Sequence, residues 1–270
     1  MKLSFHKMNG AGNDFVVIDN RSLDTNLNRQ QIAQLCDRQR GVGADGLLAV
    51  EPAEAGADFK FRYYNADGGE AEMCGNGARC FGKYTAMLTG ENTKHVTFET
   101  IAGTLSADII GDNVRIAMSD PFDLALNADL QVDDLDSDVH IINTGVPHTV
   151  VFTEDLKKCD VLGLGAAIRY HDYFAPKGTN ANFTTILSDR HIAIRTYERG
   201  VEGETLACGT GMTACALIHH LLNGAASPIS VDVEGGETLE IGFIAGPNHS
   251  FTSVTLTGPA DFVFQGIITI

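Results

Sequence analysis

Phe59, Phe61 and Tyr63 alternate with Lys60, Arg62 and Tyr64, the period-two pattern of a strand with one buried face. After residue 75 the period changes. Phe81, Tyr84 and Leu88 recur at helical spacing and predict a helix over 75–88. A second apolar helix is predicted over 209–222, with Leu217, Ile218, Leu221 and Leu222 as its core stripe. Ahead of the first helix, strands are expected at 3–7 and 15–19 around a glycine turn, and at 47–50 behind the tight loop 41–46. A short helix over 28–38 carries Ile32 and Leu35 on one face. Strands at 96–100, 104–109 and 114–118 follow the first long helix. The second half repeats the plan, with strands at 139–143, 149–152, 181–187 and 191–197, the second helix, then strands at 229–233, 237–243 and 253–257.

Between the halves, 120–138 is acidic and reads as irregular, so the domain boundary is placed there. The apolar, strand-like residues 261–270 are expected to cross back and complete the first domain. The fold class expected is α+β with two pseudo-symmetric domains, 1–119 with 260–270 and 120–259. Each is a mainly antiparallel β layer or barrel wrapped on a central helix.

The repeat is sharpest where each long helix begins. Cys74-Gly75-Asn76-Gly77 matches Cys208-Gly209-Thr210-Gly211, and the pairs Gly69-Glu70 and Gly203-Glu204 precede the two cysteines at equal distance. Thr104-Leu105 and Thr238-Leu239 follow at equal offsets, and Asp120-Pro121 and Gly258-Pro259 close similar segments. A match this long points to two halves of common design, each delivering one cysteine. A thiol at a helix N-terminus meets free N–H groups and the positive end of the macrodipole, which favour thiolate. If the halves face each other, both helix starts point into one cleft. A carbon held there can lose a proton to a thiolate on one face and gain one from a thiol on the other, which inverts a stereocentre. The helix-end N–H groups suit a carboxylate, whose charge grows as the α-carbon is deprotonated. Three other readings stay open at this point: cysteines that only cap helices, a cysteine hydrolase with His148 as base, and a redox pair.

Composition narrows the partners. A net charge of −16 argues against nucleic acid and anionic membranes. The first residues contain no continuous apolar run, so no signal peptide is expected, and no stretch reaches membrane-spanning length. None of the six cysteines forms a C-x-x-C pair, which leaves zinc-ribbon and thioredoxin-like readings without support. A reducing cytoplasm is the simplest setting. Cys80 and Cys215 fall mid-helix among apolar residues and are assigned to packing. Cys36 and Cys159 are expected in polar surroundings. A small-molecule ligand is the expected partner, and a homodimer is left open.

These residues resemble the diaminopimelate epimerase family, within a cofactor-independent superfamily that includes proline racemase. The resemblance spans nearly the whole chain. It is carried by Lys7-Met8-Asn9-Gly10-Ala11-Gly12-Asn13-Asp14-Phe15, by Tyr64-Asn65-Ala66-Asp67-Gly68-Gly69-Glu70, by Met73-Cys74-Gly75-Asn76-Gly77-Ala78-Arg79, and by Tyr197-Glu198-Arg199-Gly200 leading to Ala207-Cys208-Gly209-Thr210-Gly211. Proline racemases typically have histidine where Asn76 stands.

The resemblance implies epimerisation of LL-2,6-diaminopimelate to the meso form without pyridoxal phosphate or metal, in lysine and cell-wall precursor synthesis. Cys74 and Cys208 would be the acid–base pair. Asn13, Asn65 and Asn180 would hydrogen-bond the substrate, Glu198 its ammonium and Arg199 its distal carboxylate. The amides of Gly75, Asn76, Gly209 and Thr210 would hold the reacting carboxylate, with His148 supporting the site. The chain departs from the family at Val146, where asparagine is common, and at Gly46, where some members have glutamine. The loop 200–204 is one residue longer than the common form. A racemase of another amino acid such as proline, and a non-catalytic amino-acid-binding protein, are the alternative functions.

Overall fold

A computed structural model describes residues 1–71, 73–90, 92–133, 135 and 137–270. The chain forms two compact units, one of residues 1–117 and 258–270, the other of residues 118–257. The first unit opens with an antiparallel hairpin of β1 (Lys2–Gly10) and β2 (Asn13–Asp19). Its turn residues Ala11 and Gly12 take positive φ values of 57° and 82°. Helix α1 (Arg29–Cys36) begins with a capping box, in which the Asn28 side chain accepts from the Gln31 amide and the Gln31 side chain answers at the Asn28 amide. It ends at Cys36, short of the expected 38, because Arg38 turns away to bind Asp14 and Asp45.

As a crossover, α1 makes β3 (Gly46–Pro52) parallel to β2. Antiparallel β4 (Phe59–Asn65) follows, with the short β5 (Glu70–Ala71) folded onto it. Helix α2 (Gly75–Thr89) then leads to β6 (His95–Thr100), parallel to β4, and to the antiparallel β7 (Gly103–Ile110) and β8 (Asn113–Ala117). Residues of α2 pack against β1, β2, β3, β4, β6, β7 and β8, so the sheet curls around the helix. The aromatic core is built at this contact. The Phe81 ring lies 4.9 Å from Phe61 and 5.0 Å from Phe98, in edge and tilted geometry.

The second unit starts with β9 (Phe122–Ala125), inside the stretch expected to be irregular. This strand pairs antiparallel with β10 (Val139–Asn143), a long-range pairing that a four-residue segment does not signal by itself. Asp134 and Asp136 of that stretch lie outside the described residues. Strand β11 (Pro147–Phe152) completes a hairpin with β10. Helix α3 (Val161–Arg169) then crosses over to β12 (Asn180–Ser188), parallel to β11. Periodicity missed α3 because Gly163 and Gly165 interrupt its apolar face. Both glycines have a use: the Gly163 amide is capped by Asp160, and a Cβ on Gly165 would stand 2.4 Å from Tyr197 Cβ.

Antiparallel β13 (His191–Glu198) and the short β14 (Gly203–Thr205) precede helix α4 (Gly209–Asn223). Then come β15 (Ile229–Asp232), parallel to β13, and antiparallel β16 (Thr238–Ala245) and β17 (Phe251–Pro259). The order of hairpin, crossover helix, strands, central helix and three strands is that of the first unit. Both central helices are 15 residues long. Finally β18 (Asp261–Thr269) pairs antiparallel with β1, the place that β9 takes beside β10.

Helix α4 is buried on every side from Gly211 to His219 rather than along one stripe, and Leu222, assigned to its core, is exposed. The polar surroundings expected for Cys36 and Cys159 are also corrected. Cys36 is buried among Leu3, Val16, Ile32 and Leu47, and Cys159 packs against a cluster of Val151, Val161, Phe183 and Tyr197. His219 is fully buried, and His220 packs against the rings of Phe243 and Phe251. Among the described residues, no helix is long and apolar enough to cross a membrane.

Candidate active site

In the first unit Cys74 is the N-cap of α2, with extended backbone at φ −137° and ψ 122°. The first intrahelical bond runs from the Ala78 amide to the Cys74 carbonyl at 2.7 Å, so the N–H groups of Gly75, Asn76 and Gly77 lie ahead of the ladder. The half-buried Cys74 thiol donates to Asn13 Oδ1 at 3.5 Å. Asn13 is aimed from behind, since its Nδ2 donates to Asp45 Oδ2 at 2.5 Å. Arg38 ties Asp45 to Asp14, and Lys7 adds an ion pair to Asp14 at 2.6 Å and a hydrogen bond to the Gly43 carbonyl. Burial pushes the Asp14 carboxyl up, but the hydrogen bonds and charges of Arg38 and Lys7 outweigh it and hold the group at about 2.

Two other predicted residues of this unit have protein partners. The exposed Asn65 accepts from the Tyr63 hydroxyl at 2.8 Å. The Asn76 side chain is buried, and its Oδ1 accepts from Arg79 at 3.0 Å. A side chain at Gly46 has no room, because a Cβ would stand 2.6 Å from the Tyr64 carbonyl and 2.7 Å from the Tyr63 ring.

In the second unit Cys208 caps α4 in the same extended conformation, φ −124° and ψ 107°, and the Met212 amide closes the first bond to its carbonyl at 2.9 Å. The amides of Gly209, Thr210 and Gly211 are therefore the ones ahead of this ladder. At Cys208 the surroundings oppose the helix end, which favours thiolate. Cys208 is buried, and desolvation first, then the charge of Glu198, push its thiol well above the usual range. Hydrogen bonds from Thr210 and the Gly211 amide only partly oppose them. Glu198 is itself raised by burial, against hydrogen bonds from Thr205 (2.8 Å) and Cys208.

Asn180 and Arg199 form a second corner of this unit. The Asn180 Oδ1 accepts from the Arg199 amide at 2.9 Å, and its Nδ2 donates to the Pro147 carbonyl at 3.0 Å. The half-buried Arg199 guanidinium meets only the carbonyls of Lys177 and Gly178, at 3.4 and 3.5 Å, and no carboxylate among the described residues. His148 is fully buried and pushed down to about 3, so its imidazole is neutral. Its Nδ1 faces Asn182 at 3.0 Å.

Sequence reasoning missed Asn182 and Asp45. The signal available for Asn182 was its position two residues beyond Asn180 on one strand, which turns both side chains to the same face. The signal for Asp45 was its place in the glycine-rich loop ahead of β3. Among the described residues, no group of three or more His, Cys, Asp or Glu side chains is gathered to hold a metal ion.

A family model described as diaminopimelate epimerase matches residues 5–122 and 140–263. The diaminopimelate epimerase of Aquifex aeolicus is 42% identical over 276 residues, covering 98% of this chain and 97% of its own. That of Chlorobaculum tepidum is 42% identical over 269 residues, covering 97% and 100%. That of Archaeoglobus fulgidus is 39% identical over 283 residues, covering 99% and 97%. Among solved structures, a phenazine biosynthesis protein of the PhzF family from Bacillus anthracis superposes with a TM-score of 0.76 at 16% identity, over 100% of both chains. A hydroxyproline epimerase from Agrobacterium vitis, with bound trans-4-hydroxy-L-proline, gives 0.70 at 16% identity over 99% of this chain and 91% of its own. At such identities these two structures speak to the fold alone.

Proposed function

The chain belongs to the diaminopimelate epimerase family, and we propose that it interconverts LL- and meso-2,6-diaminopimelate by proton transfer at the α-carbon, with Cys74 and Cys208 as the acid–base pair. The observation that carries this reading is that each unit ends an extended segment in a cysteine and follows it with a central helix whose first amides are free of the ladder. One thiolate takes the α-proton and the other thiol returns one to the opposite face. The two exchange roles when the reaction runs backwards. No pyridoxal phosphate enters this scheme.

The amides of Gly75, Asn76, Gly209 and Thr210 hold the reacting carboxylate and stabilise the charge that builds on it. Asn13, Asn65 and Asn180 hydrogen-bond the substrate. Arg199, without a carboxylate partner of its own, takes the distal carboxylate. Glu198 gives the scheme its control. Its negative charge opposes ionisation of Cys208, and a substrate ammonium beside Glu198 neutralises that charge, so the thiolate forms most readily when substrate is bound. The reaction belongs to lysine and cell-wall precursor synthesis and fits a cytoplasmic enzyme.

The test is incubation of reduced protein with LL-diaminopimelate, no pyridoxal phosphate added, with the isomers separated by chromatography and L-proline run in parallel. Appearance of the meso isomer supports the reading. Turnover of proline alone would move the activity to the racemase branch, and turnover of neither would leave a binding role.

A further inference from the structure

His148 poses a question that the scheme above does not answer: its Nε2 is buried and has no hydrogen-bond partner among the described residues. An orphaned buried nitrogen of this kind is uncommon and needs an account. Its protonation follows from its neighbours. Asn182 Nδ2 donates to the Thr149 carbonyl at 2.8 Å, and a carbonyl can only accept, so that atom is the amide nitrogen. The Asn182 oxygen, on the other side, accepts from the Thr196 hydroxyl at 3.0 Å, which agrees with this orientation. The same Nδ2 faces His148 Nδ1 at 3.0 Å, so Nδ1 must accept and carries no proton. A neutral imidazole then has its proton on Nε2.

The pair also has a place in the unit. His148 is opposite Asn180 in the β11–β12 register, and Asn180 in turn holds the Arg199 amide. A Cβ on Gly211 would stand 2.4 Å from Asn182 Oδ1, so Asn182, the partner of His148, lies directly under the first turn of α4. The charged group acting on the imidazole is Arg199, which also disfavours its protonation.

We infer that Asn182 is a positioning residue that fixes His148 as a neutral imidazole donating from Nε2, an uncharged buried donor for the negative charge that deprotonation creates near the start of α4. His148 is thereby a hydrogen-bond donor and not a titrating base. The inference rests on the epimerase reading for its use of that donor, but not for the tautomer.

The test is long-range proton–nitrogen NMR of protein labelled with nitrogen-15 histidine between pH 5 and 9, with His148→Gln identifying the signal. The expected spectrum has an unprotonated Nδ1, a protonated Nε2 and no titration. In Asn182→Ala a second tautomer or a titration step is expected. Its kcat should fall by about 10- to 100-fold, the usual range for an orienting partner, with KM less affected. His148→Gln, whose amide nitrogen can stand near the Nε2 place, should keep more activity than His148→Asn. A wild-type His148 protonated on Nδ1, or charged within this pH range, would overturn the inference whatever becomes of Asn182→Ala. An unchanged tautomer in folded Asn182→Ala would also overturn it. The spectrum is read without substrate, so failure of the epimerase reading shows separately, as lack of turnover with the His148 signal as expected.

Discussion

Replacing Asp14 by Asn removes the carboxylate that holds Lys7 and Arg38 together behind Asn13 while keeping the size of the side chain. The folded carboxyl sits at about 2 against an ordinary value of 3.8, and its side chain is only 16% exposed. At about 1.4 kcal/mol per pKa unit this difference corresponds to about 2 kcal/mol of stability. The folded-state value is the lower one. The stabilisation is therefore complete above about pH 5, falls to about half near pH 3, and drains away as the pH drops through 2.

The assay is urea unfolding followed by circular dichroism, wild type against Asp14→Asn, at pH 7, 5 and 3. The variant should lose about 2 kcal/mol at pH 7, or more because Lys7 is left buried without its partner. The gap should narrow at pH 3, where the wild-type carboxyl begins to protonate and comes to resemble the amide. A gap of equal size at pH 7 and pH 3 would refute the reasoning, since it would trace the loss to packing and not to charge.

Other outcomes follow from the same structure. Gly165→Ala should destabilise the second unit, because a methyl group 2.4 Å from Tyr197 Cβ forces α3 away at about 1–3 kcal/mol, more than the roughly 1 kcal/mol gained in helix propensity; unchanged unfolding would contradict the close approach. In native protein at pH 8, an alkylating reagent should label Cys74 and Cys159 well ahead of Cys36, Cys80 and Cys215, whose thiols burial raises to about 11 or 12; mass spectrometry of the labelled peptides decides the order. Arg199→Leu should raise KM for diaminopimelate by roughly 10- to 100-fold, the value of a charged hydrogen bond, with a smaller effect on kcat; an unchanged KM would remove Arg199 from the substrate's distal end. Cys74→Ala and Cys208→Ala should each abolish epimerisation with unchanged circular dichroism, and loss of the folded signal would favour a structural role instead.

What was legible in the sequence depended on how local the physics was. The long helices α2 and α4 were read nearly to their ends because a run of apolar residues at helical spacing needs no partner to be recognised. The cysteines were read because the chain states them twice. Helix α3 was invisible since its two glycines answer to Asp160 and Tyr197, neighbours that only the folded unit supplies. Strand β9 was lost for a similar reason: its evidence is the pairing with β10, not the four residues themselves.

The site divides along the same line. Asn13 and His148 could be named, but their partners Asp45 and Asn182 arrive through the parallel β2–β3 and β11–β12 registers, which crossover helices set. That burial and Glu198 raise the Cys208 thiol was not legible, because the helix end is written in the sequence and the burial is not.

The central claim is that two different thiols serve the two faces of one carbon. It is tested most directly by starting the reduced enzyme on LL-diaminopimelate in D2O and following both isomers by NMR at early times. A two-base enzyme takes the substrate's proton with one thiol and delivers solvent deuterium from the other. The account predicts that the meso product carries deuterium at the inverted carbon from the first turnovers, while recovered LL substrate still holds its proton. Deuterium entering the LL substrate as fast as the product, or product that keeps the original proton, would mean a single base works both faces, and would contradict the account.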